Sequence, residues 1–308
     1  MNSSDEARAS RVGMFCVTGA AILFASKGLF AKALYQRGVG FELLVTVRAL
    51  LAMPLFVWFA ARTAPPGGSA KPASWRAVLA ASMAGIVCYY AGAMVDFWAL
   101  MLIDASIERV LLFSYPALVV LIDSVMRGQR PSRRVVLALL GTYLGIFLAM
   151  GGIDLRELAQ NLFGAALVLV AALTTAVYFL VGARYTHELG AARFASISMS
   201  ASAIALAIHF ALFRSVSELA PLQAWDWLLL GVLGIACMFL PGLLQAEGVR
   251  RVGAQSAAIG STVGPPATIV LAAVFLGERL TVWQWLGSAL IVGSVLVLAL
   301  GKTSDSGR

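Results

Sequence analysis

Apolar residues in this 308-residue chain are gathered into long runs, not spread at the spacing of a soluble amphipathic helix or strand. Ten runs can be drawn, at 13–35, 42–61, 77–98, 107–126, 135–152, 161–183, 194–213, 227–247, 254–276 and 283–300. Each is close to the ~20 residues a helix needs to cross a hydrocarbon layer. In lipid every backbone N–H and C=O must find its partner within the segment, so these runs predict helices. The apolar/polar alternation of a membrane barrel is absent. The first run, Val12 to Tyr35, is too long for a signal-peptide core and reads as a span, not a removed leader.

Composition turns this pattern into a class. Hydrophobic residues make up 60% and charged residues 12%, with a mean hydropathy of +0.88. A soluble domain carries about a quarter charged residues, so this chain cannot cover a globule of its size with charge and must face a lipid bilayer. The net charge of +8 would suit nucleic acid, but its placement has a simpler cause. With the N-terminus inside, Arg37, Arg156, Arg214 and Arg279 lie in outer loops, and Lys27, Lys32, Arg48 and Arg109 within spans. The other 15 of the 23 Lys and Arg residues are then cytoplasmic. This bias predicts an inner-membrane protein with both termini in the cytoplasm and no nucleic-acid partner. Trp58, Trp75, Trp98, Trp225, Trp227, Trp283 and Trp285 fall near span ends, where an amphipathic ring suits the interface. Cys16, Cys88 and Cys237 sit in apolar runs and read as small buried hydrophobes, and two histidines, His187 and His209, are too few for a His-based metal site. No metal or other cofactor is expected.

Sliding the chain along itself by 149 positions places Cys88 on Cys237, Ala105 on Ala254, Pro116 on Pro265, Gly128 on Gly277 and Arg130 on Arg279. The apolar runs coincide as well. Five spans per copy is an odd number, so the second copy must be upside down. The expected fold is an all-α membrane protein, ten transmembrane helices as two inverted five-helix repeats at 13–152 and 161–301. Secondary transporters recur in this form, with substrate held near the midplane between the halves.

The chain resembles the EamA type of the drug/metabolite transporter superfamily. The resemblance is carried by YPALVVLIDSVMRGQRPSRRVVLALLGTYLGIFLAMGG in the first half and GPPATIVLAAVFLGERLTVWQWLGSALIVGSVLVLALG in the second. Proline in a repeat's fourth helix, a Gly-Glu-Arg turn and a glycine-rich fifth helix form the family's pattern. Gly277, Glu278 and Arg279 keep it, whereas Gln129 replaces the glutamate in the first half. The resemblance implies two five-helix repeats and carriage of small molecules such as amino acids, nucleotide-linked compounds, vitamins, polyamines and toxic organics, often outward.

Candidate site residues follow from charges and helix breaks. Pro116 and the Pro265-Pro266 pair interrupt matched spans, and a proline frees a backbone carbonyl that a central cavity can use. A charge deep in lipid is costly, so such residues face a cavity or a partner. Lys27, about eight residues inside its span, is expected either to bind an anionic substrate group or to pair with an acid, and Arg48 lies at similar depth. Asp96, Glu108, Arg109, Asp123 and Glu247 are near enough to span ends to mark helix termini instead. Tyr89, Tyr90, Tyr115, Tyr178, Gln245 and Thr262 are candidate polar linings, and Glu108 and Glu247 candidate proton carriers. Gly141-xxx-Gly145 and Ala289-xxx-Gly293 are packing faces, between the repeats or between the subunits of a homodimer.

These features predict a secondary transporter, an exporter of a small polar metabolite such as an amino acid or other anionic or zwitterionic solute, working by alternating access. The alternatives are an importer or exchanger of a vitamin- or nucleotide-like compound, and a membrane sensor or assembly subunit. No GxxxxGK[ST] motif offers direct ATP drive, and no nucleophile–base or metal constellation suggests an enzyme.

Overall fold

The computed structural model describes residues 3–63, 73–103, 108, 111–149, 162–267 and 281–301, and these form helices with no strand among them. Six described segments are long and apolar enough to cross a membrane: Ala9–Gln36, Phe41–Arg62, Trp75–Leu102, Leu162–Leu189, Ala191–Phe213 and Ala224–Ala267. Side chains as large as Phe15 (77% exposed) and Leu212 (71%) point outward, a surface that suits lipid and not water. The chain is a multi-pass membrane protein.

Several of these segments are not straight. The first consists of α1 (Ser3–Ala25) and α2 (Lys27–Gln36). Between them Ser26 turns its hydroxyl onto the Leu23 carbonyl at 2.8 Å, a local bond that competes with the helical ladder and sets Lys27 at the break. Next comes α3 (Phe41–Arg62), with Pro54 inside it. The third segment runs through α4 (Trp75–Gly85), a π-helical turn (Ile86–Gly92) and α5 (Ala93–Leu102). Then α6 (Tyr115–Arg127) begins after a turn at Phe113-Ser114, with Pro116 in its first turn, where a missing N–H costs nothing. It ends at Gly128 in the left-handed region and is followed by α7 (Arg133–Ala149).

In the second half α8 (Leu162–Leu189) and α9 (Ala191–Phe213) join at Gly190, φ 79°. The third element again has three parts, α10 (Ala224–Gly234), a π-helical turn (Ile235–Phe239) and α11 (Leu240–Gly260). Ala224–Ala267 spans 44 residues, far more than one crossing requires. Gly253 divides it: φ 79° and ψ 167° are extended and left-handed, so the chain changes direction there. A 3-10 turn, Ser261–Val263, precedes the Pro265-Pro266 pair, and α12 (Val282–Gly301) follows. Arg109 and the Gly277-Glu278-Arg279 turn lie outside the described residues.

The halves interlock. α3 packs against both α9 and α10, while α9 also packs against α4. Gly85 of α4 presses on the Ser198 carbonyl of α9, where an added Cβ would lie 1.9 Å away. Gly234 of α10 stands the same way on the Arg48 carbonyl of α3, at 2.9 Å. α7 packs against α12 through Gly141 and Gly145, which face Ser294, Ile291 and Gly287. Of the two places expected for the Ala289/Gly293 face, the one between the repeats is not where α7 and α12 meet. Gly293 has open space beside it, and the close approach runs down the 287/291/294 stripe of the helix, between the two halves of one chain.

Candidate functional site

Where the bent elements meet they leave a cavity of about 150 Å³. Lys27, Arg48, Tyr89, Tyr115 and Gln245 line it, five of the eight residues expected to bind substrate. They come from α2, α3, the first π-helical turn, α6 and α11, so the tertiary packing gathers them. A π-helical turn widens the helix by one residue and commonly marks a functional site. Here the first contributes Cys88, Tyr89 and Gly92 to the wall and the second Cys237 and Met238. The two turns begin at Ile86 and Ile235, 149 positions apart. The same spacing relates other wall residues: Cys88 to Cys237, Tyr89 to Met238, Asp96 to Gln245, Leu112 to Ser261 and Tyr115 to Gly264.

The electrostatics are less symmetric. Lys27 is paired: its Nζ donates to Asp96 Oδ2 at 2.5 Å, with 12% and 9% of the two side chains exposed. Asp96, which the sequence allowed to be a helix-end marker, is instead a buried wall residue of α5. Arg48 is 5% exposed, and its guanidinium stacks 4.3 Å over the Phe97 ring, with Lys27 Nζ 4.9 Å from the same ring. Arg48 Nε has no hydrogen-bond partner and no carboxylate forms an ion pair with it among the described residues. Phe24, Phe97, Phe113 and Phe179 supply an aromatic wall.

The other expected residues stand apart. Tyr178 is buried behind the wall, its ring edge-on to Tyr89 at 4.9 Å. Tyr90 turns to His209 Nδ1 at 3.0 Å. Thr262 is fully buried and donates to the Ile259 carbonyl at 2.6 Å. Glu108 is fully buried outside the wall, and Glu247 is held by Arg250 at 2.6 Å and Arg251 at 2.5 Å. Pro116, Pro265 and Pro266 do not themselves line the cavity, but Tyr115 and Gly264 beside them do. One contributor to this region passed unseen in the sequence: Tyr143 of α7. Its hydroxyl accepts from Ala117 N–H at 3.2 Å and donates to the Phe113 carbonyl at 3.0 Å, fastening the break before α6.

The EamA-like transporter family matches the chain twice, over residues 11–151 and 162–300. The protein is a member of that family. An uncharacterized transporter of Bacillus subtilis (strain 168), YcbK, is 31% identical over 271 residues, covering 86% of each chain. The uncharacterized inner membrane transporter YicL of Salmonella typhimurium (strain LT2) is 25% identical over 303 residues, covering 94% of this chain and 96% of its own. A solved crystal structure, 19% identical, superposes with a TM-score of 0.75 over 95% of this chain and 98% of its own, so it shares the fold. The family and its relatives' names indicate a membrane transporter rather than an enzyme.

Proposed function

We propose that this EamA-type protein is a secondary transporter whose substrate occupies the cavity between two inverted five-helix repeats. The observation that carries this reading is the wall itself. Five pairs of lining residues stand 149 apart, and the bends that shape the cavity recur at that spacing. Matched bends around one central space are what alternating access requires, because each half can rock against the other about a fixed site. The division at Gly253 supports ten helices: α1 with α2, α3, α4 with α5, the α6 segment and α7, then α8, α9, α10 with α11 as far as Val252, the segment from Ala254, and α12. The positive charge count supports an inner-membrane orientation with cytoplasmic termini.

The solute is a small polar metabolite, an amino acid or other anionic or zwitterionic compound, and export is the direction favoured by the family resemblance. Glu108, fully buried, and Glu247, paired with Arg250 and Arg251, are the candidate proton carriers, Glu108 the first to test. Solute counterflow in proteoliposomes, with a panel of amino acids, carboxylates, nucleotides and organic cations, tests the reading. Saturable, competable exchange of one class supports it, and absence of exchange of every class by folded protein overturns it. Proton coupling is lost if Glu108→Gln leaves the pH dependence of flux unchanged.

A further inference from the structure

The cavity holds two cations of unequal freedom. Lys27 is neutralised by Asp96 at 2.5 Å, and replacing that contact with substrate would strand a buried carboxylate. Among the described residues Arg48 has no such ion-pair partner. It is 5% exposed, stands on the cavity wall and leaves its Nε unbonded, while Asp96, the carboxylate whose charge acts on it, is bonded to Lys27. Its backbone is pinned because the Arg48 carbonyl abuts Gly234, and its guanidinium plane is set by Phe97. A buried guanidinium without a counter-ion is costly, and its planar fork matches the two oxygens of a carboxylate.

We infer that the cavity binds a small organic monocarboxylate, its carboxylate on Arg48 and its apolar or aromatic body against Phe97 and Tyr89. This narrows the transporter reading to its anionic class, setting amino acids and other zwitterions aside, and rests on it for its physiological meaning. Three observations narrow the class. Two cations and one carboxylate among the described wall residues leave one positive charge in excess, which calls for one negative charge, whereas a phosphate monoester carries nearly two at neutral pH. An amino acid's ammonium would need an acceptor, and the wall's carboxylate, Asp96, is already held by Lys27. A space of about 150 Å³, walled by aromatic rings, is of the size that holds one ring.

Benzoate, benzamide and benzylammonium have nearly one shape and differ in charge, which makes them suitable probes of the full-length protein in nanodiscs. Benzoate is expected to bind, measured by thermal shift and by displacement of radiolabelled benzoate, and the other two to bind at least tenfold more weakly. Loss of a charge-assisted fork predicts a drop on the order of tenfold to a hundredfold in apparent affinity for Arg48→Gln, with part recovered in Arg48→Lys. The inference is overturned if wild-type protein responds equally to benzamide, prefers benzylammonium, or ignores benzoate and a set of branched-chain monocarboxylates. It is also overturned if folded Arg48→Gln binds benzoate like wild type. Should that variant fail to fold, the wild-type charge series decides alone. Counterflow separates the two readings. Benzoate bound through Arg48 with no flux of any solute removes the transport reading and keeps the site. Saturable flux of a cation or neutral solute that benzoate does not compete removes the carboxylate and keeps transport.

Discussion

The two halves of the cavity wall share their bends and differ in their charge. Asp96 of the first half corresponds to Gln245 of the second at the 149-residue spacing, and Arg48 occupies on α3 the place that Ser198 occupies on α9, each carbonyl meeting a glycine of the other half. Lys27 stands at the α1–α2 break, while the corresponding stretch of α8, Thr175-Ala176-Val177, carries no charge and is not broken. The helix breaks are held differently too. Tyr143 reaches from α7 to fasten the Phe113-Ser114 turn, whereas Ser261 and Thr262 close the second turn on their own helix, at 2.9 and 2.6 Å. Geometry that both halves need has been kept twice, and the ionic chemistry, which a single site needs once, stands in one half. A cavity with charge on every wall would bind its solute too well to release it or would hold water in its place.

This contrast can be broken, and the largest effect is at the ion pair. Asp96→Leu leaves the Lys27 ammonium buried beside Phe97 without its acid, and a loss of about 3–5 kcal/mol in stability is expected. Gln245→Leu, at the matching position, should cost under ~1 kcal/mol because no ion is stranded. The double variant Lys27→Met with Asp96→Leu should regain most of the loss, since an apolar pair often replaces a buried ion pair at little cost. Unfolding in detergent measures all three, and equal losses for Asp96 and Gln245 would contradict the asymmetry.

Close packing gives the next effect. A methyl at Gly85 meets the Ser198 carbonyl at 1.9 Å and has only backbone to push, so Gly85→Ala should destabilise by about 1–3 kcal/mol. Gly234→Ala meets the Arg48 carbonyl at 2.9 Å, and its smaller cost, about 1 kcal/mol, should come with weakened benzoate binding because Arg48 must shift. Stability assays rank the pair, and a larger loss at Gly234 would reverse the picture. Smallest are the clasps. Tyr143→Phe removes a hydroxyl that serves one donor and one carbonyl and should cost about 1 kcal/mol, and Thr262→Val about half of that, since its bond stays within one turn. Hydrogen exchange at Ala117 should rise in the first variant only.

How much of this was legible beforehand depends on the kind of interaction. Lys27 and Arg48 announced themselves because a charge inside a long apolar run has few explanations. Asp96 did not, since a carboxylate near a predicted span end has a harmless reading, and only the tertiary structure shows it bonded to Lys27, 69 residues away. Tyr90 and Tyr178 looked like Tyr89 in sequence, yet a helix turns about 100° per residue and a π-helical turn less, so neighbouring tyrosines face different directions. Tyr143 gave no signal, because one hydroxyl on a glycine-rich helix does not reveal which turn it reaches. The same holds for α12, whose small-residue stripe at 289 and 293 was visible but is not the face that meets α7.

Composition and hydropathy alone determine that this chain lies in lipid as helices, because an unpaired backbone group has nowhere else to go there. The repeat at 149 and the paired prolines were equally open to reading, since they are properties of order along the chain. The tertiary structure decided which cation is already neutralised and which is not. That choice rests on distances of a few ångströms between side chains on different helices, and Coulomb energy in a dry interior changes steeply over that range.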